Sequence, residues 1–406
     1  MEKIEELLET YNQLKDKGLK IDLSRGRPSK EQLDLSNNLL NAIELNEDFF
    51  HEGDLRNYGI LDGINSAKEF FSKISNIDKN DFIVCGNSSL NLEYELVSDG
   101  FIKGVCENTP WNQLKKIKWI CLVPGYDRHF SISEYFNMEM ISVPLTDEGP
   151  DMNLIEKIVQ DPQVKGIWCV PMYSNPLGIS FSDDVIKRFA ALKPAANDFR
   201  VYWDMAYCLH HLNENCREIL NVFDEAKKIG NEDLFYLFYS TSKMTFAGSG
   251  IAAVACSDKN KIDILNHLKY KTICSDKINQ YRHSLFFKDS KFYLEHMKMH
   301  RNLIKPKFDA LLSGLRNLKP FCKVIEPQGG YFISIFVRQG TAKKVIKRCA
   351  ECGLILTNAG CGYPHHFDEQ DSHIRIAPTC LDLSDINDAL AILSTSIKIE
   401  YLSNEN

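Results

Sequence analysis

The chain has 406 residues, of which 44% are hydrophobic and 25% charged, a composition ordinary for a globular protein of two or three domains. Its 48 basic and 55 acidic side chains give a net charge of −7, which argues against a nucleic-acid or anionic-membrane surface as the main partner. The 13 cysteines are odd in number and many lie in apolar runs such as WICLV, as expected of core residues in a reducing compartment.

The N-terminal segment predicts an amphipathic helix rather than a targeting signal. Within a stretch that is charged throughout, apolar residues recur at helical spacing: Ile4, Leu7, Leu8, Tyr11 and Leu14. The segment lacks the apolar centre of a signal peptide, and no stretch of the chain approaches the length needed to span a membrane. We therefore expect a cytoplasmic protein.

Between about residues 81 and 256, short apolar runs alternate with amphipathic segments. The runs, each typical of a buried strand, are DFIVC (81–85), KWICLVP (118–124), MEMISVPL (138–145), VKGIWCVP (164–171), RVYWD (200–204) and LFYLFYS (234–240). This alternation predicts βαβ units and an α/β fold, with a mostly parallel sheet covered by helices on both faces.

Polar and aromatic residues close or follow five of these runs. They are GNSS (86–89), PGY (124–126), NPLG (175–178), Asp204 and Lys243. In parallel sheets, binding sites lie beyond the carboxyl ends of the strands. We therefore expect these residues to meet at one edge of the sheet.

After about residue 257 the pattern changes. A long helical stretch over roughly 277–318 precedes a smaller α+β pattern that ends in the helix LSDINDALAILSTSIKIEYL. We predict three parts: an N-terminal helix and arm over 1–50 that joins the small domain, a large domain over 51–290, and a small C-terminal domain over 291–406.

Lys243 lies between two apolar segments, in LFYLFYSTSKMTFAGSGIAAVACSD (234–258). Burial disfavours the ammonium form and lowers the pKa of a lysine, so a buried lysine is expected in an ion pair or as a neutral amine used in chemistry. The alternative is that Lys243 ends a strand and points to solvent. This stretch alone does not separate the two interpretations.

Several motifs, in order along the chain, resemble those of class I aminotransferases, which are fold-type I enzymes that use pyridoxal 5'-phosphate (PLP). The motifs, which extend from residue 23 to residue 379, are LSRGRPS, RNYGILDG, GNSSLNL, VPGYDRHF, YSNPLG, STSKMTFAG and HIRIAPT. They are most similar to the bacterial subgroup 1c of aspartate aminotransferases. The resemblance implies a large PLP-binding domain with a mostly parallel seven-stranded sheet, a smaller α+β domain, and a homodimer with composite sites.

The resemblance also implies roles for individual residues. Lys243 would bind the cofactor aldehyde as an imine and shuttle a proton, Asp204 would face the pyridine nitrogen, and Tyr207 would contact the ring hydroxyl; these three are the expected catalytic residues. The further cofactor-binding residues that it implies are Asn87, Ser88, Ser89, Tyr126, Asn175, Ser240 and, from the neighbouring subunit, Tyr58. The substrate-binding residues that it implies are Gly26, Asn175 and Arg375.

Ordinary structural roles also fit some of these residues. Asp204 suits a helix N-cap, the Asn-Pro-x-Gly stretch at Asn175 is a turn signal by itself, and alternation along its strand leaves the side chosen by Arg375 open. One departure from the family pattern concerns the phosphate. No arginine follows Lys243 in MTFAGSGI (244–251), so neutral donors or a charge from elsewhere must hold the phosphate.

No metal site is predicted. The chain has one C-x-x-C motif, formed by Cys349 and Cys352, and a single such pair is weak evidence where closed zinc sites use four ligands. Two pairs of adjacent histidines, at 210–211 and 365–366, tend to point their side chains apart and are interpreted as non-ligands.

The resemblance favours an aminotransferase that uses aspartate and 2-oxoglutarate. A second substrate carboxylate needs a second cation, and spacing alone does not choose among the candidates, which are Arg25, Arg27, Arg128, His129 and Arg282. A PLP-dependent lyase or synthase, or an aminotransferase with an aromatic or neutral donor and an apolar pocket near Phe246, remains open. A DNA-binding regulator is disfavoured, because only about two dozen residues precede LSRG and they have no basic bias.

Overall fold

The structure is a computed structural model that describes residues 2–45 and 47–403. Its helices are α1 (Glu2–Asp16), α2 (Lys30–Asp34), α3 (Asn65–Ser75), α4 (Ser89–Lys103), α5 (Asp127–Tyr135), α6 (Met152–Ile158), α7 (Asp183–Ala190), α8 (Val222–Lys227), α9 (Asp258–Lys271), α10 (Lys277–Phe286), α11 (Ser290–Arg316), α12 (Ala342–Glu351) and α13 (Ile386–Ser403). Its strands are β1 (Ile21–Asp22), β2 (Phe82–Val84), β3 (Lys118–Val123), β4 (Glu139–Thr146), β5 (Gly149–Pro150), β6 (Val164–Cys169), β7 (Arg200–Asp204), β8 (Phe235–Ser240), β9 (Ala252–Ala255), β10 (Cys322–Ile325), β11 (Ile333–Val337), β12 (Leu354–Ile355) and β13 (His373–Ile376).

The central sheet has the order β2-β9-β8-β7-β6-β3-β4-β5. Strands β4, β3, β6, β7 and β8 pair in parallel, whereas β9 is antiparallel to both β8 and β2. The predicted mostly parallel sheet of seven strands is therefore present. The two-residue strand β5, antiparallel to β4, adds an eighth strand at the edge that the apolar runs did not reveal.

The two faces of this sheet bury different side chains. One face is aromatic and includes Trp119, Trp168 and Tyr202, which pack against α4 and α5 residues. The other face is built around residues such as Ile120 and Ile167, and it packs against α6, α7 and α8. Alternation of side chains along each strand, with helices over both faces, explains why the strands read as continuous apolar runs.

A second group of elements packs behind the large sheet. Strands β10, β11 and β13 form an antiparallel sheet, and β1 pairs in parallel with β12. Helix α1 packs against α13, so the N-terminal segment lies on the C-terminal part of the chain. These contacts support the division at residues 50 and 290, which remains a proposal.

Two helical predictions differ from the structure. The stretch 277–318 is two helices, because α10 ends at Phe286 and Asp289 caps a new helix by accepting a hydrogen bond from the Phe292 N–H. The helix expected after β7 is confined to Val222–Lys227, where Asn221 provides the N-cap. Of the helices within the described ranges, none is long and apolar enough to cross a membrane.

Candidate active site

Five strand ends bring the predicted site residues to one edge of the central sheet. Strands β2, β3, β6, β7 and β8 run in the same direction, so their carboxyl ends meet there. Asp204 is the last residue of β7, and Lys243 comes three residues after the end of β8. The predicted convergence is a consequence of this topology.

Lys243 is partly buried, and its Nζ lies 4.9 Å from the centre of the Tyr207 ring. Burial lowers the pKa of Lys243, and the carboxylates of Asp204 and Glu93 oppose this shift. No described carboxylate oxygen lies within the 4.0 Å of an ion pair with Nζ. The amine is thus prepared to lose its proton more readily than an exposed lysine.

Polar side chains hold the backbone at Lys243 in place. The Tyr331 hydroxyl donates a hydrogen bond to the Lys243 carbonyl oxygen at 3.2 Å, and Nε2 of His210 lies 3.3 Å from the same oxygen. Nε2 of His296 lies 2.6 Å from the next carbonyl oxygen, that of Met244. Sequence reasoning missed these residues, since they act on the lysine through backbone atoms.

Asp204 is buried, and its Oδ1 accepts a hydrogen bond from the Ala206 N–H at 3.0 Å. Burial, together with the neighbouring Glu93, raises its pKa to about 7, while His129 and Lys243 act in the opposite direction. The Oδ2 atom lies 3.7 Å from Nε2 of His129. The Oδ2 atom of Asp204 can therefore still accept a hydrogen bond from a donor placed beside it.

Glu93 and His129 complete this buried group. Oε2 of Glu93 lies 3.1 Å from Nε2 of His129. The sequence contained a signal for Glu93, which shares the apolar face of α4 with Leu96, Val97 and Gly100 at helical spacing. In the described parts of the chain, the one cluster with metal-ligand spacing is Glu93, His129 and Asp204, whose ligand atoms lie within 4.8 Å of one another.

The N-terminus of α4 forms the expected phosphate end of the site. Ser88 is the extended N-cap, and its Oγ donates a hydrogen bond to Oδ1 of Asn91 at 2.7 Å. Asn87 is exposed, whereas Ser89 and Ser240 are buried. A Cβ at Gly250 would lie 3.1 Å from the Asn87 carbonyl oxygen, so a larger residue would fill the space beside this turn. Free N–H groups and hydroxyls at a helix N-terminus suit a phosphate.

Arg375 lies on β13 and is buried. One guanidinium nitrogen donates to Oδ1 of Asn175 at 3.3 Å and to Oδ1 of Asp127 at 3.2 Å, and Nε donates to Oγ1 of Thr357 at 3.4 Å. Its Cζ lies 4.9 Å from the centre of the Phe332 ring. The structure thus brings Arg375 into contact with Asn175, another residue proposed for the substrate.

Gly26 belongs to the same end of the site. A Cβ built at Gly26 would lie 2.3 Å from Cζ of Phe332, so only glycine lets the chain pass this ring. Phe332, which sequence reasoning did not single out, thus contacts both the Gly26 backbone and the Arg375 guanidinium.

Tyr126 is partly buried beside His129, with their ring centres 4.8 Å apart, and so lies at the same strand edge. Tyr58 lies apart from it. Its side chain is 77% exposed and makes no hydrogen bond or ring contact with any other residue that the structure describes. Within one chain, Tyr58 is therefore the predicted site residue that does not join the others.

The candidate cations for a second carboxylate occupy different places. Arg282 donates to Oγ of Ser249 and Oδ1 of Asn279, and His129 is held by Glu93. Arg128 is exposed on α5, next to Tyr94 and Tyr135. The structure thus separates candidates that spacing could not.

Arg25 and Arg27 flank Gly26 and are exposed. Neither has a carboxylate oxygen within ion-pair distance among residues 2–45 and 47–403. Gly26, the residue between them, contacts Phe332, whose ring also faces the Arg375 guanidinium.

The donor set fits PLP: an amine, an opposed carboxylate, a phosphate-binding helix N-terminus and a buried arginine on one parallel sheet edge. Fold and site together define a fold-type I transferase.

The aspartate amino-transferase family model matches residues 2–405. An aspartate aminotransferase of Corynebacterium glutamicum is 39% identical over 399 residues, covering 97% of this chain and 92% of the relative. The chain therefore belongs to the aspartate aminotransferase family and is a PLP-dependent aminotransferase.

Solved structures agree with this assignment. A crystal structure of an aspartate transaminase from Corynebacterium glutamicum superimposes with a TM-score of 0.96 at 37% identity, covering 99% of this chain and 96% of that one. The α-aminoadipate aminotransferase LysN of Thermus thermophilus, solved with N-(5'-phosphopyridoxyl)-L-leucine, has a TM-score of 0.76 at 18% identity over 99% and 95% of the two chains. That second likeness concerns the fold alone.

Proposed function

We propose that this enzyme binds PLP covalently at Lys243 and transfers the amino group of aspartate to 2-oxoglutarate. The observation that carries the proposal is the pairing of Lys243, a partly buried amine of lowered pKa, with Asp204 at the same strand edge. When bound, PLP supplies an aldehyde that condenses with amines and a ring that withdraws electrons from the substrate α-carbon.

The residues of the chain then act on protons and charges. Once an incoming amino acid had displaced it from the cofactor, the free Nζ of Lys243 would take up the substrate α-proton and later give it back, a role that its lowered pKa favours. With PLP bound, Oδ2 of Asp204 would accept a hydrogen bond from the ring N–H. Asn175 and Tyr207 would hold the ring hydroxyl, and Tyr126 would cover the ring face.

At the phosphate end, we assign the cofactor to Asn87, Ser88 and Ser89 of the α4 N-terminus, with Ser240 at the end of β8. These are neutral donors, and the positive end of the helix dipole assists them. Arg282 donates hydrogen bonds to Ser249 and Asn279, and we do not assign it to the phosphate.

The substrate α-carboxylate is assigned to Arg375, with the Gly26 backbone facing it. The guanidinium forms a planar fork that suits a carboxylate, and Asn175 and Thr357 hold its orientation. We assign the second carboxylate of aspartate or 2-oxoglutarate to Arg25 and Arg27, because they flank Gly26 and have no acidic partner within ion-pair distance.

We further propose a homodimer in which Tyr58 reaches the phosphate of the partner's site. The support is its exposed ring on a loop that Lys277 holds from below, with Nζ 2.5 Å from the Asn57 oxygen and 3.1 Å from the Gly59 oxygen. The cytoplasmic location stays a prediction from composition, which the 13 free cysteines suit.

The decisive experiment is a panel of amino donors, read by the conversion of the bound cofactor to its amine form. Aspartate and glutamate should convert it rapidly, whereas alanine, phenylalanine and a thioether amino acid should convert it slowly. Product formation without any 2-oxo acid would instead indicate a lyase or synthase, and preference for phenylalanine or alanine would overturn the aspartate assignment.

Arginine variants test the carboxylate assignments. Arg25→Gln and Arg27→Gln should each weaken the apparent affinity for aspartate about 10- to 100-fold, as expected for a lost charged hydrogen bond, and should leave that for alanine unchanged. Arg375→Lys should weaken both donors. Arg128→Gln is the matched control, since it removes an exposed arginine on α5. Equal losses for alanine and aspartate in the Arg25 variant would refute its role.

A further inference from the structure

Glu93 is a fully buried carboxylate to which the proposed reaction assigns no task. Its exposed fraction is 0%, and its Oε1 atom has no hydrogen-bond partner among the described residues. Such a group is costly to retain, because a buried charge needs a partner and a buried polar atom needs a hydrogen bond. Its position therefore calls for a functional explanation.

The imidazole of His129 lies between Glu93 and Asp204 and cannot readily turn. Its ring stacks on Trp168, with centres 4.7 Å apart and planes at 15°, and Tyr126 meets it edge-on at 4.8 Å. Nε2 is 3.1 Å from Oε2 of Glu93 but 3.7 Å from Oδ2 of Asp204. One N–H is thus directed to two carboxylates, and the Glu93 oxygen is the nearer.

The charges around this group make the choice of acceptor important. Glu93 and Asp204 face one imidazole, Asp127 acts on it as well, and Lys243 is the further cation that acts on Asp204. Tyr126, Tyr207 and Cys208 also face it, and burial raises the pKa of each, so they stay neutral. If the imidazole proton went to Asp204, the carboxylate would be partly neutralised and would hold a ring N–H less strongly.

We propose that Glu93 is a positioning residue of the transamination site, which draws the Nε2 proton of His129 to itself and leaves Oδ2 of Asp204 free for the N–H of the cofactor ring. This inference rests on the proposed placement of the ring nitrogen against Asp204. It assigns Glu93 a role through His129, without contact to the cofactor, in the way that outer partners tune metal ligands.

The direct test is ¹⁵N NMR of the holoenzyme reconstituted with PLP labelled at the ring nitrogen. In the wild type we expect the resonance of a protonated ring nitrogen. In Glu93→Gln, which keeps the shape and removes the charge, it should move toward that of a neutral pyridine. Glu95→Gln is the matched control, since Glu95 lies on the same helix but pairs with Lys271 at 3.2 Å. An unchanged resonance in folded Glu93→Gln overturns the proposal.

Kinetics give a second readout. Glu93→Gln should lower kcat about 10- to 100-fold, the range typical of such outer partners, with KM unchanged. Adding Glu93→Gln to His129→Gln should cost little more than His129→Gln alone, because the effect passes through the imidazole. Additive losses would contradict the proposed route. If Glu93→Gln does not fold, Glu93→Asp retains the charge at shorter reach and should give an intermediate resonance; a wild-type resonance there overturns the proposal.

Two controls separate the possible failures. Asp204→Asn should abolish the protonated resonance; if it does not, the placement of the ring against Asp204 fails, whatever Glu93 does. If Asp204→Asn abolishes the resonance and Glu93→Gln leaves it intact, only the present inference fails. Treatment of the wild-type holoenzyme with EDTA should change nothing, and a resonance that shifts with chelation would show that a metal ion, rather than a shared proton, joins the three groups.

Discussion

Lys165 and Lys243 are both withdrawn from water in the large domain, and their surroundings differ. Lys165, on β6, is 7% exposed, and its Nζ lies 2.6 Å from Oδ1 of Asp198. Oδ2 of Asp198 accepts a further hydrogen bond from Nε1 of Trp111 at 2.8 Å. Lys243 instead has the face of the Tyr207 ring 4.9 Å away and no described carboxylate within ion-pair distance.

The comparison shows that the neighbours of a buried lysine decide whether it stabilises the fold or takes part in chemistry. A buried ammonium with a hydrogen-bonded carboxylate keeps its proton and holds two elements together. Lys243 has Asp204 and Glu93 nearby, but neither carboxylate lies within ion-pair distance of its Nζ. Since burial also lowers its pKa, Lys243 can release its proton. Both possibilities that follow from burying a lysine are thus present in one sheet.

The largest effect is expected from Lys243→Ala. Loss of the amine should remove the visible absorption of the lysine-bound cofactor and lower turnover by roughly 10²- to 10⁴-fold through the missing proton transfer alone. Absorption spectra and single-turnover kinetics measure this change. After hydride reduction, peptide mapping should locate the cofactor on residue 243 of the wild type; a label on another lysine would refute the assignment. Lys165→Met should keep the absorption.

Lys165→Met should act on stability instead. It leaves Asp198 as an unpaired buried charge, which should lower the free energy of unfolding by about 3–5 kcal/mol in denaturant titrations. The double variant Lys165→Met/Asp198→Asn should recover most of this loss, because the amide still accepts from Trp111. The kcat of folded enzyme should not change in either variant. A large drop in kcat would show that the two lysines are not functionally distinct.

Asp204 predicts a pH dependence of the cofactor-free protein. Its pKa is raised from 3.8 to about 7 by burial and by Glu93, so between these values the folded state holds a proton that the unfolded state has lost. The free energy of unfolding should therefore fall as pH rises through this window. Asp204→Asn should flatten that slope, as measured by thermal unfolding at a series of pH values. A slope that persists would show that other groups cause it.

The smallest effect is expected at a third buried lysine, Lys277. Lys277→Met leaves the carbonyl oxygens of Asn57 and Gly59 without their donor, which should destabilise this loop by about 1–3 kcal/mol. Hydrogen exchange at residues 57–60 should accelerate, and the proposed dimer should dissociate more readily in sedimentation experiments. Lys288→Met, at an exposed position, is the control. Unchanged exchange would show that Lys277 does not hold the Tyr58 loop.

Much of the large domain could be predicted from the sequence, because its strands are continuous apolar runs and its polar residues follow their carboxyl ends. That pattern did not separate Lys165 from Lys243, since both adjoin apolar runs. What distinguishes them is Asp198, which lies 33 residues from Lys165 in the chain and becomes its partner only when β6 and β7 pair.

Other parts of the site depend on tertiary packing in the same way. Phe332 is an ordinary apolar residue until Gly26 passes its ring, and Arg25 and Arg27 become the favoured cations only through that contact. The sequence pattern did not reveal the break between α10 and α11, because helical periodicity continues across it and only Asp289 marks the start of α11. Tyr58 could not be placed from one chain, since its proposed partner belongs to a second copy.

Helix α4 touches both ends of the proposed cofactor site. Ser89, in its first turn, belongs to the proposed phosphate end, and Glu93 lies four residues later, about 6 Å along the axis, near the proposed ring end. Because an α-helix moves as a rigid rod, a tilt or shift of α4 would move Ser89 and Glu93 together. The binding of the phosphate and the protonation of the ring nitrogen are therefore coupled through this helix. A cofactor analogue that lacks the phosphate but keeps the ring nitrogen should therefore bind more weakly. The degree of protonation of that ring nitrogen should change as well.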